Sequence, residues 1–218
     1  MKILVTAFEP FGGNELNSSW EVATMLPDCI DTSKIVKHQL PVDYLRVGDA
    51  IRSAIELHSP DIVVSLGQSR KFAGLSIERV ALNLMDSTKA DNEGYIPVNE
   101  PIHTDGDIAY MTPFPVRVLA EACKRQGIAA QISNSAGTFV CNRLYYELLY
   151  MIAKEHLFLK ALFVHLPYIT EQDKSPSMDK ELLVDGIVEI LKGMIPWFAM
   201  VCQNSVDYCG PKQSMLQM

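Results

Sequence analysis

Three short, mainly apolar runs constrain the fold of this chain more than any other feature. They occupy residues 2–7, 62–66 and 161–164. None of them alternates apolar with polar residues, as a strand with one solvated face does, so each is expected to be buried on both faces. Stretches with helical spacing of apolar residues separate the runs. The order of elements therefore predicts an α/β fold, a three-layer α/β/α sandwich around a mixed, mostly parallel twisted sheet.

Length and charge limit the domain count and the partners. At 218 residues the chain can bury a full core, and we expect residues 1–218 to form a single domain. Its net charge of −7 and its lack of a Lys/Arg cluster argue against a nucleic-acid partner. The apolar tail at 194–202 is too short to span a membrane, so we expect it to pack on the core or on another subunit.

The cysteines favour a reducing compartment. Their number is odd and their spacing irregular, and no Cys-X-X-Cys pair or His-Glu-X-X-His motif occurs, so we expect neither a metal site nor a cofactor. The amino end is predicted to be a strand and not a cleavable signal peptide. Together these features predict a cytoplasmic protein. The five cysteines are Cys29, Cys123, Cys141, Cys202 and Cys209.

Residues 133–142 contain the strongest candidate for a reactive side chain. They follow a short β-like run and precede apolar residues at helical spacing, which places Cys141 at or near the first turn of a helix. Unpaired N–H groups and the helix dipole at such a position favour the thiolate, which is the nucleophilic form. The competing interpretation is that Cys141 is a small buried hydrophobe, the usual fate of a free cysteine.

Two further residues are candidates for work with Cys141. Glu78 interrupts an apolar run, where a carboxylate is either paired or functional, and the simpler alternative is a surface pair with Arg79 on an edge strand. His165 follows a doubly buried strand, at the carboxyl end where sites in α/β sheets lie. A core histidine bonded to backbone is an equally open interpretation of His165. The other histidines, His38, His58, His103 and His156, lie in polar or helix-end contexts.

Thiolate, imidazole and carboxylate are the groups of a nucleophilic triad. Cys141 would attack, His165 would shuttle the proton, and Glu78 would fix the imidazole tautomer. Phe8 and Phe11 lie in a predicted glycine-rich loop, either as a pocket wall or as a satellite core. Residues 85–107 are polar and turn-rich, and both a lid over a site and a solvated loop fit this composition.

The sequence resembles the pyroglutamyl peptidase I family, also called pyrrolidone-carboxylate peptidases, over about residues 2–172. The Cys141 motif is highly specific for that family, and the other motifs follow in the same order. The matching segments are FEPFGG at 8–13, NSSWE at 17–21, Gly67-Gln68, ERVALN at 78–83, DNEG at 91–94, SAGTFVCN at 135–142 and HLPYI at 165–169.

The resemblance implies a cytoplasmic cysteine peptidase that needs no metal and is often a homotetramer. Such an enzyme removes an amino-terminal pyroglutamyl residue from peptides through an acyl-enzyme. Its catalytic residues would fall on Glu78, Cys141 and His165. The pyroglutamyl lactam is neutral and flat, so its site needs apolar walls together with one hydrogen-bond donor and one acceptor. The resemblance assigns the substrate-binding positions to Phe8, Phe11, Gln68, Phe139 and Val140.

The chain also departs from the family pattern. Residues 69–72 replace a short glycine-rich stretch, and residues 87–90 lack an arginine that the family carries there and that is thought to assist the oxyanion. The tail from about residue 190 matches nothing in the family. An alternative function is therefore a catalytically weakened homologue that binds pyroglutamyl or related lactam ligands. A nucleoside phosphorylase shares the general architecture by resemblance, but this chain lacks a basic phosphate-binding set.

Overall fold

The fold is known from a computed structural model, which describes residues 1–206. The strands in this range are β1 (Lys2–Phe8), β2 (Cys29–Ile30), β3 (Ser33–Leu40), β4 (Ile62–Gln68), β5 (Leu75–Glu78), β6 (Val80–Leu82), β7 (Ala109–Met111), β8 (Ala130–Ser133), β9 (Lys160–Leu166), β10 (Tyr168–Ile169) and β11 (Ser177–Met178). The helices are α1 (Ser18–Met25), α2 (Val47–His58), α3 (Val116–Arg125), α4 (Val140–Lys154) and α5 (Lys180–Val206), with a 3₁₀ turn at Thr170–Gln172.

Seven strands form the central sheet in the order β2-β3-β1-β4-β9-β5-β8. Neighbours from β3 to β9 are parallel, whereas β5 runs antiparallel to β9 and parallel to β8, and β2 runs antiparallel to β3. The prediction of a mixed, mostly parallel sheet is confirmed. Because β4 and β9 are parallel, their carboxyl ends lie at one edge of the sheet, where loops can assemble a site.

Helices cover both faces of this sheet. In β4, Ile62, Val64 and Leu66 pack in one apolar cluster with α1, α3 and α5, while Val63 packs in a second cluster with α2 and α4. Successive side chains of a strand point to opposite faces, so a run without polar residues is stable only when both faces are covered. The three-layer arrangement is therefore the one that the apolar runs predict.

The β-like run at 75–84 is divided in the structure. It ends as β5 at Glu78 and resumes as β6 after Arg79, and β6 pairs with β7 in a separate two-stranded sheet. Residues 83–108, which we call the insertion, connect β6 to β7. Asn83 holds the insertion together, because its side chain accepts from the N–H groups of Ile102 and His103 and donates to the carbonyl of His103.

The insertion is attached to α4, the helix that carries Cys141. His103 Nε2 lies 2.7 Å from Glu147 Oε2, and the His103 ring stacks on Tyr150 with centroids 3.8 Å apart. Arg143 forms an ion pair with Glu147, and the Glu147 side chain is almost fully buried. The insertion is thus packed against α4 by a buried polar cluster.

The last helix is longer than its sequence pattern suggests. We expected a helix from Asp179 to about residue 192, but α5 continues through Pro196 to Val206. Met194 is fully buried and Phe198 nearly so in the α1/α3/α5 cluster, and this packing outweighs the backbone hydrogen bond that proline removes. Residues 207–218, with Cys209 and the end of the tail that begins at about residue 190, lie outside the described residues. Within 1–206, no helix combines the length and the apolar character that a membrane span needs.

Candidate active site

Cys141 is the second residue of α4. Phe139, at the amino-terminal cap position, offers no side-chain acceptor, so the first N–H groups of the helix stay available for an incoming oxygen. The fully buried Asn142 side chain fixes this helix end, because it accepts from Leu82 N–H and donates to the carbonyls of Leu82 and Leu84. The sequence analysis assigned Asn142 no role, although a buried amide beside a candidate nucleophile is itself evidence of a fixed position.

His165 and Glu78 face each other across the antiparallel pair β5–β9. In this register Ser76 lies opposite His165 and Glu78 lies opposite Phe163, so His165 and Glu78 are diagonal neighbours on one face of the sheet. His165 Nδ1 lies 2.8 Å from Glu78 Oε1. Their side chains are only 10% and 2% exposed, which strengthens the interaction electrostatically.

The surface-pair interpretation of Glu78 is wrong. Glu78 points into the protein toward His165, while Arg79 turns away and donates from Nη1 to Asn134 Oδ1 at 3.1 Å. Glu78 Oε2 is buried and has no hydrogen-bond partner within the described part of the chain. Leaving a carboxylate oxygen unpaired in the interior costs free energy. The hydrogen bond between Glu78 and His165 offsets part of this cost.

The electrostatic surroundings of His165 favour the imidazolium. Burial lowers the pKa of an imidazole because it disfavours the charged form. The interactions of His165 with the Cys141 sulfur and with the Glu78 carboxylate outweigh burial here, and the pKa of His165 rises to about 9. With Nδ1 engaged by Glu78, Nε2 is the nitrogen left for proton exchange with Cys141. This arrangement places a group that can exchange a proton next to the Cys141 sulfur.

A small cavity opens directly beside Cys141. Besides Cys141 its lining consists of Phe8, Phe11, Asn17, Val42, Gln68, Phe139 and Val140. All five predicted substrate-binding positions therefore lie together, and Asn17 and Val42 join them. The Phe11 and Phe139 rings lie 6.2 Å apart, and the Tyr44 ring meets Phe139 edge-on at 5.4 Å. The walls are mainly apolar and aromatic, which suits a flat, uncharged ring.

Phe8 is not in a loop, contrary to our expectation. It is the last residue of β1, and it is nearly fully buried in the α2/α4 cluster while also lining the cavity. Phe8 thus belongs to the core and to the pocket wall at once. Because one face of Phe8 is held by the core, that wall is rigid.

Gln68 is held in one orientation. Its Oε1 accepts from Ser18 N–H at 2.9 Å and from Gln172 Nε2 at 2.8 Å. Gln172 also donates to the carbonyl of Leu16, so it connects the loop before α1 with the end of β4. Nothing in the sequence suggested this role for Gln172, since Gln68 and Leu16 lie more than 100 residues away from it. As to metals, residues 1–206 contain no group of three or more His, Cys, Asp or Glu side chains placed to bind an ion.

Gly67 leaves the space that Cys141 occupies. A Cβ at Gly67 would lie 3.0 Å from Cys141 Sγ and 2.7 Å from Phe163 Cζ, and the fully buried Phe163 ring packs against Tyr145 and His165. We expect Gly67→Ala to displace the nucleophile, to lower kcat at least about tenfold, and to destabilise the fold by about 1–3 kcal/mol through overpacking.

The matched control for Gly67→Ala is Gly193→Ala in α5. Its added methyl group meets the Cδ2 atom of the buried Leu119 side chain at 2.7 Å, in the α1/α3/α5 cluster and not beside Cys141. Activity on a pyroglutamyl substrate and thermal unfolding are measured for both variants. Full activity of Gly67→Ala would mean that Cys141 does not need the space beside β4.

Comparison with known proteins gives consistent similarities. The profile of a family described as pyroglutamyl peptidase matches residues 1–195. The pyrrolidone-carboxylate peptidase of Thermococcus onnurineus is 43% identical over 195 residues, which cover 88% of this chain and 98% of the relative. That of Lactobacillus johnsonii is 41% identical over 199 residues, covering 89% of this chain and 93% of the relative.

Solved structures show the same similarity in three dimensions. The pyroglutamyl peptidase I of Bacillus amyloliquefaciens superposes with a TM-score of 0.83 at 37% identity, over 87% of this chain and 94% of that one. The pyrrolidone carboxyl peptidase of Thermococcus litoralis gives a TM-score of 0.87 at 33% identity, over 91% and 95% of the two chains. The matched region contains Cys141, His165, Glu78 and the whole lining of the cavity.

Proposed function

This chain belongs to the pyroglutamyl peptidase family, and from that premise we propose that it removes the amino-terminal pyroglutamyl residue of peptides by thiolate attack and an acyl-enzyme intermediate. One observation carries the mechanistic part of the proposal. Cys141 at a helix start, a His165 whose pKa is raised and a buried Glu78 meet at the mouth of a cavity with apolar walls. Such a constellation is equipped for acyl transfer.

The reaction divides into two steps that use the same groups. The Cys141 thiolate attacks the pyroglutamyl carbonyl carbon and forms a C–S bond. The C–N bond then breaks as the His165 imidazolium gives its proton to the leaving amine. In the second step neutral His165 takes a proton from water, the hydroxide attacks the thioester, and the C–S bond breaks to release pyroglutamate and restore the thiolate–imidazolium pair.

Each remaining group has a distinct task. Glu78 orients the His165 ring and stabilises its charged form. The N–H of Cys141 at the start of α4 faces the oxyanion that develops on the attacked carbonyl. Phe8, Phe11, Phe139 and Val140 hold the lactam ring, and the backbone around Gln68 supplies its donor and acceptor. A free amino terminus would enter this neutral cavity as an unpaired ammonium, which is unfavourable.

A direct test of the function compares two peptides that differ only at the first residue. We expect a peptide that begins with pyroglutamate to be cleaved after that residue, and the same peptide with an open-chain glutamine to be left intact, as liquid chromatography with mass spectrometry would show. EDTA should change neither result. Cleavage of both peptides at equal rates, or loss of activity with EDTA, would refute the proposal.

The weakened-homologue alternative is supported by the departure at residues 87–90. This segment lies beside the residues that lead to Cys141, because Asp86 N–H donates to the Thr138 carbonyl and Thr138 Oγ1 donates to the Asp86 carbonyl. An arginine there would therefore be near Cys141, and the loss of one oxyanion donor typically lowers kcat about 10²- to 10³-fold. Binding of pyroglutamate without any product from the pyroglutamyl peptide would favour this alternative.

Compartment and assembly are part of the same proposal. The four described cysteines, Cys29, Cys123, Cys141 and Cys202, are free thiols, which suits a reducing cytoplasm. The family resemblance implies a homotetramer, and the exposed apolar side chains of Ile108 and Phe158, at 88% and 82%, are ones that an assembly would cover. Sedimentation equilibrium that finds only monomers would reject the assembly.

A further inference from the structure

Two cations flank the loop that leads to Cys141. This loop comprises residues 134–138 and joins β8 to the cap of α4; we call it the nucleophile loop. On one side Arg79 Nη1 donates to Asn134 Oδ1 at 3.1 Å. On the other side Lys71 Nζ lies 3.9 Å from the position that a Cβ on Gly137 would take. Gly137 has a φ of +85°, so a side chain there would be strained, and the backbone stays open to the ammonium group.

These cations have no acidic partner. Within residues 1–206 neither Lys71 nor Arg79 forms an ion pair, and the neighbouring Arg70 forms none either, whereas four other lysine residues do. Asp86 approaches the Thr138 side of the site, but its carboxylate accepts from Asn99 N–H. In a chain with a net charge of −7, the exposed Lys71 and the half-buried Arg79 thus place two positive charges without acidic partners on the same loop. These charges attract anions to that place.

The loop between the two cations leads into the lining of the cavity, and we call the surface around this loop the rim. Gln68, which lines the cavity, is three residues before Lys71, and Phe139, which also lines it, is two residues after Gly137. Asn134 and Lys71 are both exposed, so this rim faces solvent. When the pyroglutamyl ring fills the small cavity and its carbonyl meets Cys141, the rest of the peptide has to leave through the open side. The second residue of the substrate therefore passes this rim.

Resting on the proposed function, we propose that Lys71 and Arg79 form a subsite for a carboxylate on the second residue of the substrate. The carboxylate comes either from an acidic side chain or from the carboxyl terminus of a pyroglutamyl dipeptide. Both lie a few bonds beyond the scissile amide, and both match an ammonium group together with a guanidinium. Lys71 and Arg79 are thus specificity-determining residues, and they take no part in bond breaking.

The test uses pairs of substrates that differ by one negative charge. For the side-chain source we compare pyroglutamyl-glutamic acid amide with pyroglutamyl-glutamine amide, and for the terminal source pyroglutamyl-alanine with its amide. At low ionic strength the wild-type chain should show a kcat/KM about two- to fivefold higher for the charged member of at least one pair. Lys71→Met should reduce that ratio toward one and leave kcat/KM for the neutral substrates unchanged. Added salt should also reduce the ratio.

The control variant is Lys154→Met, an exposed lysine at the opposite end of α4, roughly 20 Å from Cys141 along the helix. It should keep the wild-type ratios. Equal kcat/KM within both pairs for the wild type, or ratios that survive Lys71→Met, would overturn the subsite. An equal loss on charged and neutral substrates would also overturn it, because Lys71 would then act on the reaction itself. If no neutral substrate is cleaved by the wild type, the proposed function fails instead.

Discussion

Replacing Cys141 with alanine is expected to lower kcat on pyroglutamyl peptides by about 10⁴-fold or more. The acyl-enzyme route needs the thiolate, and the oxyanion donors and the cavity alone provide only a small part of the rate enhancement. Cys141 is only partly buried, so the variant should unfold at nearly the wild-type temperature. Initial rates with a pyroglutamyl substrate, together with thermal unfolding, would test both expectations.

The other described cysteines provide the control. Cys29→Ala and Cys202→Ala should retain full activity, because neither side chain reaches the cavity. Iodoacetamide should inactivate the wild type by alkylating Cys141 first. Cys123 should react slowly, since burial raises the pKa of its thiol to about 11. Inactivation that follows alkylation of Cys29 or Cys202 would place the nucleophile elsewhere.

Glu78→Gln is expected to lower kcat by roughly 10²- to 10⁴-fold with little change in melting temperature. Glutamine keeps the shape of the side chain but removes the charge that supports the His165 imidazolium. The pH profile of kcat/KM should also report the loss of this negative charge beside His165. A raised pKa means that His165 holds its proton to higher pH, so the wild-type profile should fall only near pH 9. In Glu78→Gln this fall should move to lower pH.

A second buried Glu–His pair offers a matched control for Glu78→Gln. Glu147 contacts His103 at 2.7 Å and is buried like Glu78, but it lies where the insertion attaches to α4 and does not line the cavity. Glu147→Gln should affect unfolding more than kcat and should leave the pH profile in place. Near-full activity of Glu78→Gln would remove Glu78 from the mechanism and leave a Cys–His dyad.

The layers of the fold follow from the sequence because burial on both faces is a local property of each strand. The apolar runs in β1, β4 and β9 are confirmed as central strands of the sheet. The direction of β5, in contrast, does not follow from a local pattern. Its antiparallel alignment with β9 brings Glu78 diagonally across from His165, and no local pattern encodes a pairing over 87 residues.

Other features of the fold and the site depend on tertiary packing, which the spacing of residues in the sequence does not reveal. Proline predicts a helix end, yet α5 runs through Pro196 because Met194 and Phe198 are buried against the core. The contact of Gln172 with Gln68, the position of Lys71 beside Gly137 and the space at Gly67 all join segments far apart in the chain. Sequence reasoning can name the reactive groups, whereas these supporting contacts require coordinates.

The central claim is that Cys141 forms a covalent acyl intermediate, and intact-protein mass spectrometry tests it most directly. The protein is mixed with an activated pyroglutamyl ester, quenched in acid within the first turnover, and then digested to locate any modification. The account predicts one added pyroglutamyl group, bound as a thioester to Cys141 in the wild type and absent from Cys141→Ala. Full turnover without any adduct on Cys141, or an adduct of the same yield in Cys141→Ala, would contradict it.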